Sequence, residues 1–118
     1  MIKVYIASPY TLGDTAVNVK LQIDTGSYLI ERGYSPFLPL LAHFIHLVHP
    51  QSYETWIDWS AEWLKQCDAV LRIGGVSEGA DKEVEIARAQ LIPVYFSIAS
   101  LCNNMPVVRK DNGQWKTC

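Results

Sequence analysis

Residues 69–89 read AVLRIGGVSEGADKEVEIARA, an apolar run that stops at two glycines and gives way to a charged segment with helical spacing. The run Ala69–Ile73 has the length and branching of a buried strand, Gly74-Gly75 end it, and a helix is expected from about Gly79 to Leu91. Ile92 to Phe96 then reads as the next strand. Upstream, Tyr53, Trp56, Trp59 and Trp63 recur every three or four residues, which predicts a helix over 51–66. Before it come a short strand at Ser35–Leu40 and a helix from about Asp14 to Arg32. The latter is capped by Asp14, stopped by Gly33, and shows Val17, Leu21, Tyr28 and Leu29 as its apolar positions. A first strand, IKVYIA, covers Ile2–Ala7 and ends at Ser8-Pro9. Strands alternating with helices imply right-handed crossovers and an α/β, three-layer half-Rossmann (flavodoxin-like) fold with a four- to five-stranded, mostly parallel sheet. Ligands bind beyond the carboxyl ends of such strands, here Ser8–Gly13, Pro39–His43 and Gly74–Gly79.

The chain of 118 residues is the size of one domain, 1–118, with a terminal hairpin or tail expected over 104–118, where Asn112-Gly113 separates two β-prone pieces. Its 49% apolar and 19% charged residues are those of a chain that folds unaided. A net charge of −2 without a basic run gives no source for counterion release, so no nucleic-acid polymer is expected as a partner. The opening MIKVYIASPY lacks a signal peptide's apolar region, and FLPLLAHFIHLVH is broken by Pro39 and three histidines, so no membrane segment and a cytoplasmic location are expected. Cys67, Cys102 and Cys118 form no C-x-x-C pair and read as reduced thiols, Cys67 buried.

Glycines between a strand and a helix, Gly75 among them, let the backbone approach a ligand closely, and the free N–H groups of a helix start favour an anion. The same turn also serves merely to close a βα unit, and Asp81 and Glu83 have an alternative role in complementing the helix dipole. If their segment is helical, His43, His46 and His49 drift around its face, and no cysteine or carboxylate at ligand spacing joins them, so no metal is assigned. His43, at the mouth of the second strand, is placed to touch a base or a sugar hydroxyl; a hydrogen-bonded loop histidine is the alternative. The tryptophans have faces suited to a base, but packing is the commoner use, with Trp63 expected inside.

Three segments, VYIASPYT with Tyr5, CDAVLRI, and SEGADKEVEIA with Ser77, Gly79, Glu83 and Ala87, resemble the nucleoside 2-deoxyribosyltransferase superfamily, which includes the 2′-deoxynucleoside 5′-phosphate N-hydrolases. The resemblance extends to about Phe96. It implies cleavage or transfer at the N-glycosidic bond of a (deoxy)nucleoside or its 5′-monophosphate, with Glu83 as nucleophile and no metal or organic cofactor. Tyr5 would orient Glu83, Ser77 and Gly79 would contact a 5′-phosphate or 5′-hydroxyl, and Ser8, Tyr10 and Thr11 would lie on the loop around the sugar. Helix geometry would keep Glu83 ionised, and Lys82 or Arg72 would be the cations for a phosphate. The partner is a small-molecule nucleoside or nucleotide, and the assembly is expected to be a homodimer or higher homo-oligomer.

One position departs from the pattern. Members commonly carry an aspartate eight residues before the one that opens the third strand; counting back from Asp68 gives Ser60, which cannot protonate a departing base as an acid would. Asp58, two positions earlier and about 200° around a helix, replaces it only if the helix starts late or bends. The alternative function is therefore a non-catalytic nucleotide-binding or sensing module of the same fold.

Overall fold

The computed structural model describes residues 1–107. Four parallel strands, β1 (Lys3–Ala7), β2 (Ser35–Phe37), β3 (Ala69–Arg72) and β4 (Val94–Tyr95), lie in the order β2-β1-β3-β4. The helices are α1 (Thr15–Glu31), α2 (Ala42–Val48), α3 (Tyr53–Leu64), α4 (Glu78–Ala89) and α5 (Ile98–Asn104). This is the flavodoxin-like, three-layer arrangement, and its switch point falls between β1 and β3, where the connections leave the sheet in opposite directions.

Alternation along the two central strands builds a core on each face. Val4, Ile6, Ala69 and Leu71 meet Leu29, Tyr34 and Leu101, so α1 and α5 cover one side. Tyr5, Ala7 and Val70 meet Leu64, Cys67, Ala80 and Ala87, so α3 and α4 cover the other. Each fully buried Leu or Ile contributes about 2 kcal/mol of transfer free energy. Burial also pushes the Cys67 thiol up to about 11, which leaves it protonated and inert.

The edge strands are shorter than the sequence suggests. β2 stops at Phe37 because Pro39 opens a 3-10 turn over Pro39–Leu41, and Pro36 is tolerated because an edge strand needs ladder bonds on one side only. β4 reduces to Val94–Tyr95 after Pro93. α2 and α5 were not assigned from sequence; Ser97 caps α5 by accepting from the Ser100 N–H at 3.1 Å.

On α1 the buried positions are Val19, Gln22, Thr25, Gly26 and Leu29, while Val17 is 62% exposed. The inner stripe is thus partly polar and small. Leu38 packs so tightly on Gly26 that a Cβ there would lie 2.7 Å from its methyl group. Among the described residues no helix is long and apolar enough to cross a membrane. Of the terminal hairpin or tail expected at 104–118, residues 108–118 lie outside the described residues; before them, Tyr34 donates a hydrogen bond to the Met105 carbonyl at 2.9 Å.

Candidate active site

Beyond the carboxyl ends of β1 and β2 the chain encloses a cleft of about 560 Å³, closed by α2, α3 and the start of α4. Its lining includes Ser8, Tyr10, Thr11, His43, Ser77, Gly79 and Glu83 among the expected site residues. Gly75, Asp58 and Tyr5 are not in it; Tyr5 is fully buried and meets the cleft only through Glu83.

Glu83 lies on the second turn of α4, and the hydroxyl of Tyr5, a fully buried residue in the middle of β1, donates a hydrogen bond to its Oε2. Burial pushes the Glu83 carboxyl from 4.5 up to about 8. The expectation that the helix start keeps it ionised is corrected here: the dipole acts within the first turn, and desolvation prevails one turn further in. At neutral pH the resting carboxyl is protonated.

The loop after β1 is held from behind. Asn18 Nδ2 donates to the carbonyls of Tyr10 and Leu12, both at 2.9 Å, and Tyr10 Oη lies 2.5 Å from His43 Nδ1. Burial raises the Tyr10 pKa, so the phenol stays protonated. Gln22 Nε2 donates to Ser8 Oγ at 2.8 Å and to the Ile6 carbonyl at 3.1 Å, while its Oε1 accepts from the Leu40 N–H at 2.8 Å. One buried amide therefore ties the end of β1 to the turn after β2.

At the start of α4, Ser77 Oγ accepts from the Ala80 N–H at 3.1 Å and so caps the helix. Gly79 faces the Tyr53 hydroxyl, 3.5 Å from where a Cβ would stand. Gly74 is the glycine that the geometry demands: its φ is +79°, and a Cβ would lie 2.6 Å from Pro9 Cδ. Arg72 is committed to this turn, donating to the carbonyls of Ile73 at 2.6 Å and Gly75 at 2.8 Å and pairing with Asp81 at 3.4 Å. It therefore does not serve a ligand phosphate. Lys82 pairs with Glu78 at 3.7 Å and sits 5.6 Å over the Tyr53 ring.

Ser60 lines the cleft; Asp58 is exposed outside it, as their angular separation on a regular α3 requires. Of the tryptophans, Trp56 lines the cleft and donates from Nε1 to His46 Nδ1 at 3.0 Å. Trp63, expected inside, is 51% exposed and stacks on Phe37 at 5.6 Å; the buried residue at the end of α3 is Leu64. Among the described residues no three His, Cys, Asp or Glu side chains converge as metal ligands.

Sequence reasoning missed Asn18, Gln22, His46 and Tyr53. The first two are spaced i, i+4 on α1, a polar pair that reads as a solvated face until the sheet end is known to need hydrogen-bond donors.

A family model described as a domain of unknown function (DUF7768) matches residues 2–97. No curated protein matches. A solved 2-deoxyribosyltransferase from the psychrotolerant bacterium Bacillus psychrosaccharolyticus is similar in fold, with a TM-score of 0.61 and 19% identity over 92% of this chain and 86% of that one.

Proposed function

The chain belongs to the DUF7768 family, and we propose that it cleaves or transfers at the N-glycosidic bond of a (deoxy)nucleoside or its 5′-monophosphate through a covalent glycosyl-Glu83 intermediate. The observation that carries this reading is the Tyr5–Glu83 hydrogen bond at a desolvated end of the cleft. Once its proton is lost to solvent, the Glu83 carboxylate attacks C1′ as the C1′–N bond breaks, and the bonding pair leaves with the base, which takes up a proton. Water or an acceptor base then attacks C1′ and frees Glu83. Tyr5 supports the ionised form by donating to it. The hydrogen-bonded Tyr10–His43 pair on the cleft wall would supply the proton that Ser60 cannot give. Ser8, Thr11, Ser77 and Gly79 would contact the sugar and its 5′ substituent.

As parts of the same proposal, the chain is one domain that acts in the cytoplasm as a homodimer or higher homo-oligomer. Phe44, Leu47 and Val48, 53%, 66% and 70% exposed on α2, support association. The test is chromatographic detection of free base from a panel of ribo- and deoxynucleosides and their 5′-monophosphates. Release by the wild type and none by Glu83→Ala is expected; no release from any member refutes the reading.

A second reading, a nucleotide-binding or sensing module without turnover, is favoured by Ser60 on the cleft wall and by a Glu83 that rests protonated. It expects Glu83→Ala to change affinity with no base formed by either protein.

A further inference from the structure

We propose that Gln22, buried on α1 outside the cleft, is a positioning residue that fixes Ser8 as a hydrogen-bond donor to the ligand, so that the ligand atom meeting Ser8 is an acceptor.

The sense of the Gln22 amide is set by its surroundings. Leu40 N–H can only donate, so the atom facing it at 2.8 Å is the oxygen, and the Ile6 carbonyl can only accept, so the atom facing it at 3.1 Å is the nitrogen. Reversing the amide would set N–H against N–H and oxygen against oxygen at once. The second Nε2 proton then goes to Ser8 Oγ at 2.8 Å. All three polar sites of a 1% exposed side chain are used, which removes any freedom to turn.

Ser8 therefore accepts from behind. Its own proton is taken by no hydrogen bond among the described residues, and the residue lines the cleft. Ser8 Oγ keeps a second lone pair, but a ligand N–H bound there would leave the buried hydroxyl proton unpaired, whereas a sugar, phosphate or carbonyl oxygen would complete it. This discrimination comes from a residue that never touches the ligand, and buried mismatches of this kind are heavily penalised.

The identity of the ligand rests on the nucleoside reading; the sense of Ser8 does not. Affinity for the nucleoside and 5′-monophosphate panel is read from tryptophan fluorescence, since Trp56 lines the same cleft. Ser8→Ala is expected to weaken the best-bound member by about tenfold. Gln22→Glu keeps the acceptor for Leu40 and, with its carboxyl proton held on the Ile6 carbonyl, presents that same oxygen as an acceptor to the Ser8 hydroxyl, which should weaken ligand binding by a similar factor. In the double variant the second change should add nothing, because both act on one hydroxyl proton. Multiplying losses, or unchanged affinity in Ser8→Ala, would overturn the proposal.

Nuclear magnetic resonance of the free protein supplies a check that needs neither ligand nor Gln22 variant. Both Gln22 carboxamide protons should be protected from exchange, and Ser8→Ala should move one of them while the Leu40 amide stays in place. Rapid exchange of both, or no response to Ser8→Ala, would also overturn it. Should no panel member bind the wild type, the nucleoside reading fails and the resonance result still decides the sense of Ser8.

Discussion

Tyr5 stands on the middle residue of β1, fully buried, and its hydroxyl donates to Glu83 on the second turn of α4. A side chain from the sheet thereby fixes a side chain from the layer above it. The pairing follows from period-two alternation, which sends Val4 and Ile6 to the α1 face and Tyr5 to the α4 face.

Tyr5→Phe keeps the ring stacked 5.6 Å from Phe37 and deletes the donor. Base release should fall by about tenfold to a hundredfold, the range expected for one hydrogen bond to a charged group. Thermal unfolding with kinetics on the same sample checks this: an unfolding midpoint near wild type with reduced kcat is the expected pattern.

A nucleophilic Glu83 must lose its proton, so kcat/KM should climb about tenfold per pH unit and level off above about 8, where burial has placed the carboxyl. Stability should run the other way. The folded-state pKa is raised, so the contribution of the protonated group is fully present below about 4.5 and lost as pH rises through about 8. Glu83→Gln should flatten that dependence in denaturant titrations across this range.

Much of this arrangement is legible in the sequence because it rests on local signals. The apolar runs at 2–7 and 69–73, the caps at Asp14 and Gly33, the aromatic spacing over 53–63 and the Gly74-Gly75 stop fix the two central strands and three helices near their observed bounds. Long-range demands are not legible in that way. Gln22 and Asn18 look solvated on a helix taken alone, and only the sheet end above them makes them internal. Trp63 looks internal by type, yet the end of α3 buries its neighbour Leu64. The ionisation of Glu83 depends on desolvation that no spacing reveals.

Gly74→Ala should destabilise the fold by about 2 kcal/mol or more, since it adds a positive-φ penalty to a clash with the rigid Pro9 ring. Gly75→Ala, with nothing within 4 Å of its Cβ, is the control and should cost much less. Chemical denaturation of the two variants compares them directly.

Ser60→Asp places a carboxyl on the cleft wall. If proton delivery to the departing base limits the rate, base release should rise by about a hundredfold, the lower end of general-acid contributions. Asp58→Asn, on the exposed side of α3, should leave the rate unchanged.

The most direct test of the covalent reading is the intact mass of protein acid-quenched during turnover of a deoxynucleoside 5′-monophosphate, followed by peptide mapping. The account predicts a population heavier by one deoxyribose 5-phosphate unit, carried on the peptide containing Glu83 and missing from Glu83→Gln. Base release that proceeds with no adduct under any quench time, or an adduct on another residue, would contradict it.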